Sequence, residues 1–238
     1  MGSHHAAPSP RLPTTYTLIE LLVVIAIIAV LLTLLTSIII HVREQAQRVK
    51  CANNLRQAGV ALQAYGNANR GRLPQHPYIA REGHTFAYNV PRATADALVA
   101  YTGSYTTLFC PAGEAEYDPR GIEWDWHAKP GGTCITSYHW FFDRATNNVN
   151  PIEPPKRLHQ TLKPIDIAHA DVAADAVIGW TGRFIGIGVD ARGSNLTRTN
   201  HLRGDTPTGG NILFLDGHVV WRPFDQMKLR GGPNELWF

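Results

Sequence analysis

The chain is poor in cysteine and poor in charge. Of its 238 residues three are cysteine, and Asp, Glu, Lys and Arg together make up 17%. Cys51, Cys110 and Cys134 lack the paired CxxC spacing of a structural zinc site. The 22 Lys and Arg residues nearly balance 19 Asp and Glu and are scattered, apart from a group after residue 40. No basic face for nucleic acid is implied. HExxH, GxSxG and P-loop sequences are missing, and no GxGxxG stands between a strand and a helix. The glycines of residues 182–188, GlyArgPheIleGlyIleGly, are too irregular to cradle a phosphate. An enzyme would have to be assembled from the dispersed His169, Asp171, His201, Asp216 and His218, residue types that bind divalent metals or move protons. Local roles in loops and a hairpin account for them more simply. The expectation is therefore a protein that is not an enzyme, with no catalytic residue, bound metal or cofactor.

Charge is missing altogether from residues 21–40, an uninterrupted apolar run. In a helix those residues reach roughly 30 Å, the thickness of a bilayer's hydrocarbon core. A membrane anchor is expected there, headed by one carboxyl, Glu20, which needs a partner or an interface. A secretory signal peptide would have a shorter apolar region followed by a small-residue cleavage site. Residues 1–15 are polar, carry three prolines and show no apolar period, as in a leader or tail.

Residues 41–65 contain no proline and continue with good helix formers. Val49, Leu55, Leu62 and Tyr65, with Ala52, Ala58 and Gly59, recur at helical spacing. One long helix over residues 17–65 is predicted, its second half laying an apolar stripe on a domain. The rest, about 170 residues, is long enough for one globular core. It reads as turn-rich, with a short helix over residues 93–101 and strands over 135–142, 165–172 and 184–189. Trp124, Trp126, Tyr138, Trp140 and Phe142 are expected to fill a core. Apolar runs at residues 211–215 and 218–221 flank Asp216 and Gly217, which predicts a hairpin with a two-residue type I′ turn.

The word ThrLeuIleGluLeuLeuValValIleAlaIleIle, residues 17–28, resembles the N-terminal segment of type IV prepilins and type II secretion pseudopilins. Residues 50–65 resemble the corresponding helix of a large bacterial group of pilin-like proteins. In that group a C-terminal processing-associated motif places AspGly nine residues after a His; here His201 precedes Asp216 and Gly217 by a fourteen-residue gap. The resemblance implies an α+β fold in which the transmembrane helix continues into a pilin-like ectodomain with a small antiparallel sheet. It divides the chain into a leader (1–15), a transmembrane helix (16–40), its continuation (41–66) and the ectodomain (67–238).

The function implied is that of a structural subunit, a pseudopilin or minor pilin. A prepilin peptidase would cut between Thr15 and Tyr16, Tyr16 would be methylated, and Glu20, the fifth mature residue, would serve assembly. The family prefers Gly where this chain has Thr15. Implied partners are that peptidase, other pilin or pseudopilin subunits, an inner-membrane assembly platform and the membrane itself, with the ectodomain outside the cytoplasm. Some major pseudopilins carry calcium in a C-terminal loop, for which Asp190, Asp205 and Asp216 are the candidates here. In an exported domain Cys110 and Cys134 are expected to pair, leaving Cys51 on the helix; three buried thiols are the alternative. Charge counting opposes this topology, since Arg43, Arg48, Lys50 and Arg56 follow the apolar run and only Arg11 precedes it. Placing those cations on a solvated helix face resolves the conflict. The competing reading is a membrane-tethered binding module or metal-dependent hydrolase on a prepilin-like anchor.

Overall fold

The computed structural model describes residues 17–74, 89–113, 133–141, 170–179, 182–184, 199–228 and 235–237. It is α+β, with an N-terminal apolar helix and antiparallel sheet. Helix α1 (Leu18–Ala68) is the long helix that the periodicity predicts. By contacts the chain divides into two compact units, Met1–Arg43 and Glu44–Phe238. The C-terminal part of α1 therefore belongs to the same unit as the sheet.

In the first unit, Leu18–Leu35 has a mean hydropathy of 3.1 and none of it is buried, so it is long and apolar enough to cross a membrane. In the second unit, Cys51, Leu55, Ala58 and Leu62 are buried. Their spacing of four, three and four residues draws one face of the helix. Val49, placed on that stripe by the sequence reading, is 65% exposed. It precedes Cys51 by two residues, about 200° of helical turn, and so lies away from the buried face. The helix ends where Gly71 N–H donates to the carbonyl of Gly66 and Asn69 Nδ2 donates to that of Tyr65.

The main sheet has the order β3 (Tyr138–Trp140), β4 (Asp171–Asp175), β8 (Gly209–Phe214), β9 (Val219–Pro223), antiparallel throughout. Separate two-stranded pairs are β1 (Asn89–Pro91) with β2 (Thr133–Ile135), β5 (Val177–Gly179) with β10 (Glu235–Trp237), and β6 (Leu202–Arg203) with β7 (Thr206–Pro207). Helix α2 (Arg92–Thr102) covers the predicted 93–101 helix. Its C-terminus is closed by Gly103, left-handed at φ 75°, whose N–H donates to the carbonyl of Val99.

The strand expected over residues 135–142 is two strands. Between them Thr136 Oγ1 accepts from the indole N–H of Trp140 at 2.9 Å and donates to the carbonyl of Tyr138, while Ser137 N–H turns to the carbonyl of Leu108. A buried Trp needs an acceptor for its N–H, and the hydroxyl supplies one by leaving the ladder. Tyr138 and Trp140 are fully buried, as expected of core aromatics; Trp124, Trp126 and Phe142 lie outside the described residues. Of the strand expected over 165–172, the described part joins β4, which runs on to Asp175. Nearly all of the 184–189 strand lies outside the described residues.

The predicted hairpin is present as β8 and β9, but its turn differs. Gly217 N–H donates to the carbonyl of Phe214, and Phe214 N–H to that of His218. Only Gly217 has positive φ (91°), whereas a type I′ turn would also require it of Asp216. The loop is thus three residues, Leu215 to Gly217, with glycine in the bulge position. At the far end of β8, Gly209 has φ 145°, and a Cβ there would lie 2.3 Å from the carbonyl oxygen of Arg222.

Glu44, Arg48 and Arg203 form a charged group on the domain. The Glu44 carboxylate accepts from Arg48 one helical turn on and from Arg203 Nη2 at 2.6 Å, and the Arg48 guanidinium lies 4.1 Å from the Trp221 ring centre. Partial burial pushes the Glu44 pKa up, but the hydrogen bonds from Arg203 and Arg48 outweigh it and hold the carboxyl below the ordinary 4.5.

Two outcomes are expected. Gly209→Ala should lower stability to urea by about 2 to 4 kcal/mol, because the backbone strain and the clash with a paired strand add. Glu44→Gln should lower Tm at neutral pH. Because the folded-state pKa is depressed, this contribution is full above 4.5 and disappears as pH falls through the folded value. Melting curves of both proteins should therefore converge in acid.

Candidate functional site

Two places in the chain gather chemistry. The first is the head of α1. Thr17 Oγ1 accepts from the Glu20 N–H at 3.3 Å, while Glu20 Oε2 accepts from the Thr17 N–H and hydroxyl, both at 2.8 Å. This reciprocal arrangement is a capping box, for which ThrLeuIleGlu has the required Thr-x-x-Glu spacing. The sequence reading gave Glu20 a partner to find, and within one chain that partner is the helix's own first turn. Thr15 and Tyr16, the residues of the expected cleavage site, lie outside the described residues.

The second place is buried in the domain. Cys51 on α1 is disulfide-bonded to Cys110, which follows a 3-10 turn (Tyr105–Leu108), with Cα atoms 5.2 Å apart. This corrects the expected Cys110–Cys134 pairing. Cys51 lies on the buried face of α1, one turn before Leu55, and so points at the domain. Cys134 sits on β2, beside Val90 on the neighbouring strand, and is a free, buried thiol. Burial pushes its pKa up to about 11, with smaller opposed effects of Arg92 and Asp96.

Against the disulfide lie His201 and Asp175, both with fully buried side chains. His201 Nε2 is 3.1 Å from Asp175 Oδ2 and 3.4 Å from Cys110 Sγ. Asp175 Oδ2 also accepts from the backbone N–H of Asn211 at 2.7 Å and from its side-chain Nδ2 at 2.9 Å. His201 has φ 52°, uncommon for a residue with a Cβ, and its carbonyl is held by Thr208 N–H and Oγ1. The Trp221 ring stands edge-on to the imidazole at 5.1 Å. Among the described residues, His201 Nδ1 and Asp175 Oδ1 have no hydrogen-bond partner. Burial, and then the charge of Asp175, raise the pKa of Tyr138 on the neighbouring strand well above 10.

The C-terminal motif is divided between these surroundings and the surface. Asp216 is 2.5 Å from His218 Nδ1 at the exposed hairpin turn and accepts from the His218 N–H, so His201 and Asp216 pair with different partners. Gln63 Nε2 of α1 donates to the Asp216 carbonyl, clamping helix to turn. Of the proposed calcium ligands, Asp205 is exposed at the β6–β7 turn, Asp216 is engaged by His218, and Asp190 lies outside the described residues. Of the dispersed acid–base set, His169 also lies outside, and Asp171 opens β4. The sequence reading missed Asp175. Its signal was an acid closing the small apolar run ValAlaAlaAsp, which becomes informative only when β4 is placed in the interior.

Alkylation of the unfolded, unreduced chain should label Cys134 alone, and reduction should raise the count to three thiols. A non-reducing peptide map should link Cys51 to Cys110. In the native protein near neutral pH, Cys134 should react slowly, since a buried thiol with so high a pKa supplies little thiolate. Replacing Cys51 and Cys110 together by Ser should cost about 4 kcal/mol, the loop-closure value for a separation of 59 residues.

No protein-family model, curated protein or solved structure matches this chain.

Proposed function

We propose that this chain is a membrane-anchored structural subunit, a pseudopilin or minor pilin, that assembles through α1 into a filament of a type II secretion or type IV pilus-like machine. The observation that carries this reading is a single carboxyl, Glu20, at the head of a wholly exposed, uncharged apolar helix. A tether needs only apolarity; an acid at that position imposes a cost that a tether would not require. In this reading a prepilin peptidase cuts between Thr15 and Tyr16, and Tyr16 is methylated. The helix stays in the cytoplasmic membrane, and the domain lies outside the cytoplasm, where the Cys51–Cys110 bond is stable. Arg48, held by Glu44 and Trp221, is part of the domain's own structure, which weakens the charge-count argument for the opposite topology. The alternative of a tethered hydrolase finds no support at His201 and Asp175, whose burial keeps a substrate from them.

Cleavage before Tyr16 would place a new amine four residues from Glu20. In a filament a neighbouring subunit's amine could pair with the carboxylate, satisfying both charges and fixing the axial register. The capping box offers a local role for the same residue, and Glu20→Gln separates the two. Gln serves at this position of a capping box but carries no charge. If charge pairing drives assembly, Glu20→Gln should insert normally and form no filaments when produced with its peptidase and assembly platform. Leaving one charge of a desolvated pair unmatched costs about 3 to 5 kcal/mol. Filaments in normal yield from Glu20→Gln would reduce the role of Glu20 to capping. Mass spectrometry of membrane-extracted protein should find a methylated Tyr16 at the N-terminus; an intact leader in cells with active peptidase would sink the reading.

A further inference from the structure

A disulfide has no need of an acid and an imidazole packed against it. Burying both is costly, and among the described residues one polar atom of each has no partner. The strained backbone at His201 adds to that cost. Such an arrangement is explained if the four side chains converge for a second reason. One ligand atom from each of Cys51, Cys110, Asp175 and His201 falls in a group whose members all lie within 4.8 Å of one another. Four donors around a tetrahedral zinc, at bond lengths of about 2.0 to 2.3 Å, stand roughly 3.3 to 3.8 Å apart. The Nε2–Oδ2 and Nε2–Sγ distances of 3.1 and 3.4 Å are already close to that spacing. On reduction the two sulfurs separate from bonding distance to van der Waals contact, opening the space between them.

We infer that the thiol form of this cluster is a closed zinc site, with Cys51 Sγ, Cys110 Sγ, His201 Nε2 and an Asp175 carboxylate oxygen as its four ligands. Two thiolates, an imidazole and a carboxylate suit a borderline-soft ion without geometric preference of its own, and complete burial leaves no open position for water, as in structural sites. The disulfide and the metal are mutually exclusive occupants of the same place. Reduction by a phosphine breaks the S–S bond: the phosphine is oxidised to its oxide with the oxygen of one water, and the two protons of that water go to the two sulfurs. Zinc then displaces both protons into solvent, leaving two bound thiolates. Every newly made chain passes through the thiol form before oxidation, so the metal would hold α1 against the domain at that stage and keep Cys51 and Cys110 from pairing with Cys134.

The test uses the full chain in detergent micelles, with and without phosphine reduction. Zinc titrated against a chromophoric chelator should bind one per chain in the reduced protein and none in the oxidised protein. Cobalt in its place should give thiolate-to-metal charge-transfer absorption and the intense visible bands of a four-coordinate ion. Asp175→Asn, whose oxidised form retains the disulfide, should weaken zinc binding by more than about tenfold, at least what loss of an outer-shell partner costs. The inference is overturned if reduced wild-type protein binds no more zinc than oxidised, or if cobalt shows no thiolate transition. It is equally overturned if a Cys51→Ser, Cys110→Ser protein binds zinc as the reduced wild type does, since the ion would then sit on surface histidines.

Discussion

Everything in the domain depends on one face of α1 being buried. Cys51, Leu55, Ala58 and Leu62 project from it into the same core as Leu213 of β8 and Tyr138 and Trp140 of β3. Burying a side chain the size of Leu contributes about 2 kcal/mol. The helix must therefore keep its phase where the apolar pattern changes from all-round to one-sided. A cation–π contact, a covalent bond and a hydrogen bond help to fix that phase along α1: Arg48 on Trp221, Cys51 to Cys110, and Gln63 on the hairpin turn. Each joins α1 to a segment distant in sequence, so the helix and the sheet stabilise each other.

The two units of the chain put the same secondary structure to different uses. From Leu18 to Leu35 the helix exposes apolar side chains all round, and water is the wrong solvent for it. From Glu44 onward it has a wet side and a buried side. The change lies where charged residues first appear, at Arg43 and Glu44, and the Glu44 carboxylate is at once drawn into the domain by Arg203. The contacts of the domain are accordingly made within Glu44–Phe238, apart from the apolar unit.

The polar cluster behind the disulfide runs against the trend of the core around it. Interiors usually place a buried acid next to a fixed cation or spend all its lone pairs on donors. Among the described residues, Asp175 accepts three bonds on one oxygen and none on the other, and an imidazole and a sulfur lie beside it. An interior selected for packing alone would have replaced these groups by apolar ones at little cost.

Local chemistry was enough to determine a good deal. An apolar run without charge, a three-and-four spacing that continues beyond it, an AspGly between two apolar runs and a short amphipathic stretch each specify their element within a few neighbours, so α1, α2 and the β8–β9 hairpin were legible. Residues 17–20 carry the capping box as well, in the Thr-x-x-Glu spacing itself. The tertiary structure decided the rest. Which cysteine meets Cys110 depends on where α1 lands on the domain, and a 59-residue separation leaves no trace of that in local spacing. The break at Thr136 follows from where the Trp140 indole finds an acceptor. His201 and Asp175 are 26 residues apart, on segments that are unremarkable when read singly. They form a pair only because the segment before β6 is hydrogen-bonded to the residue after β4, Asn200 N–H and Thr199 Oγ1 both donating to the carbonyl of Ala176, beside the helix that carries Cys51.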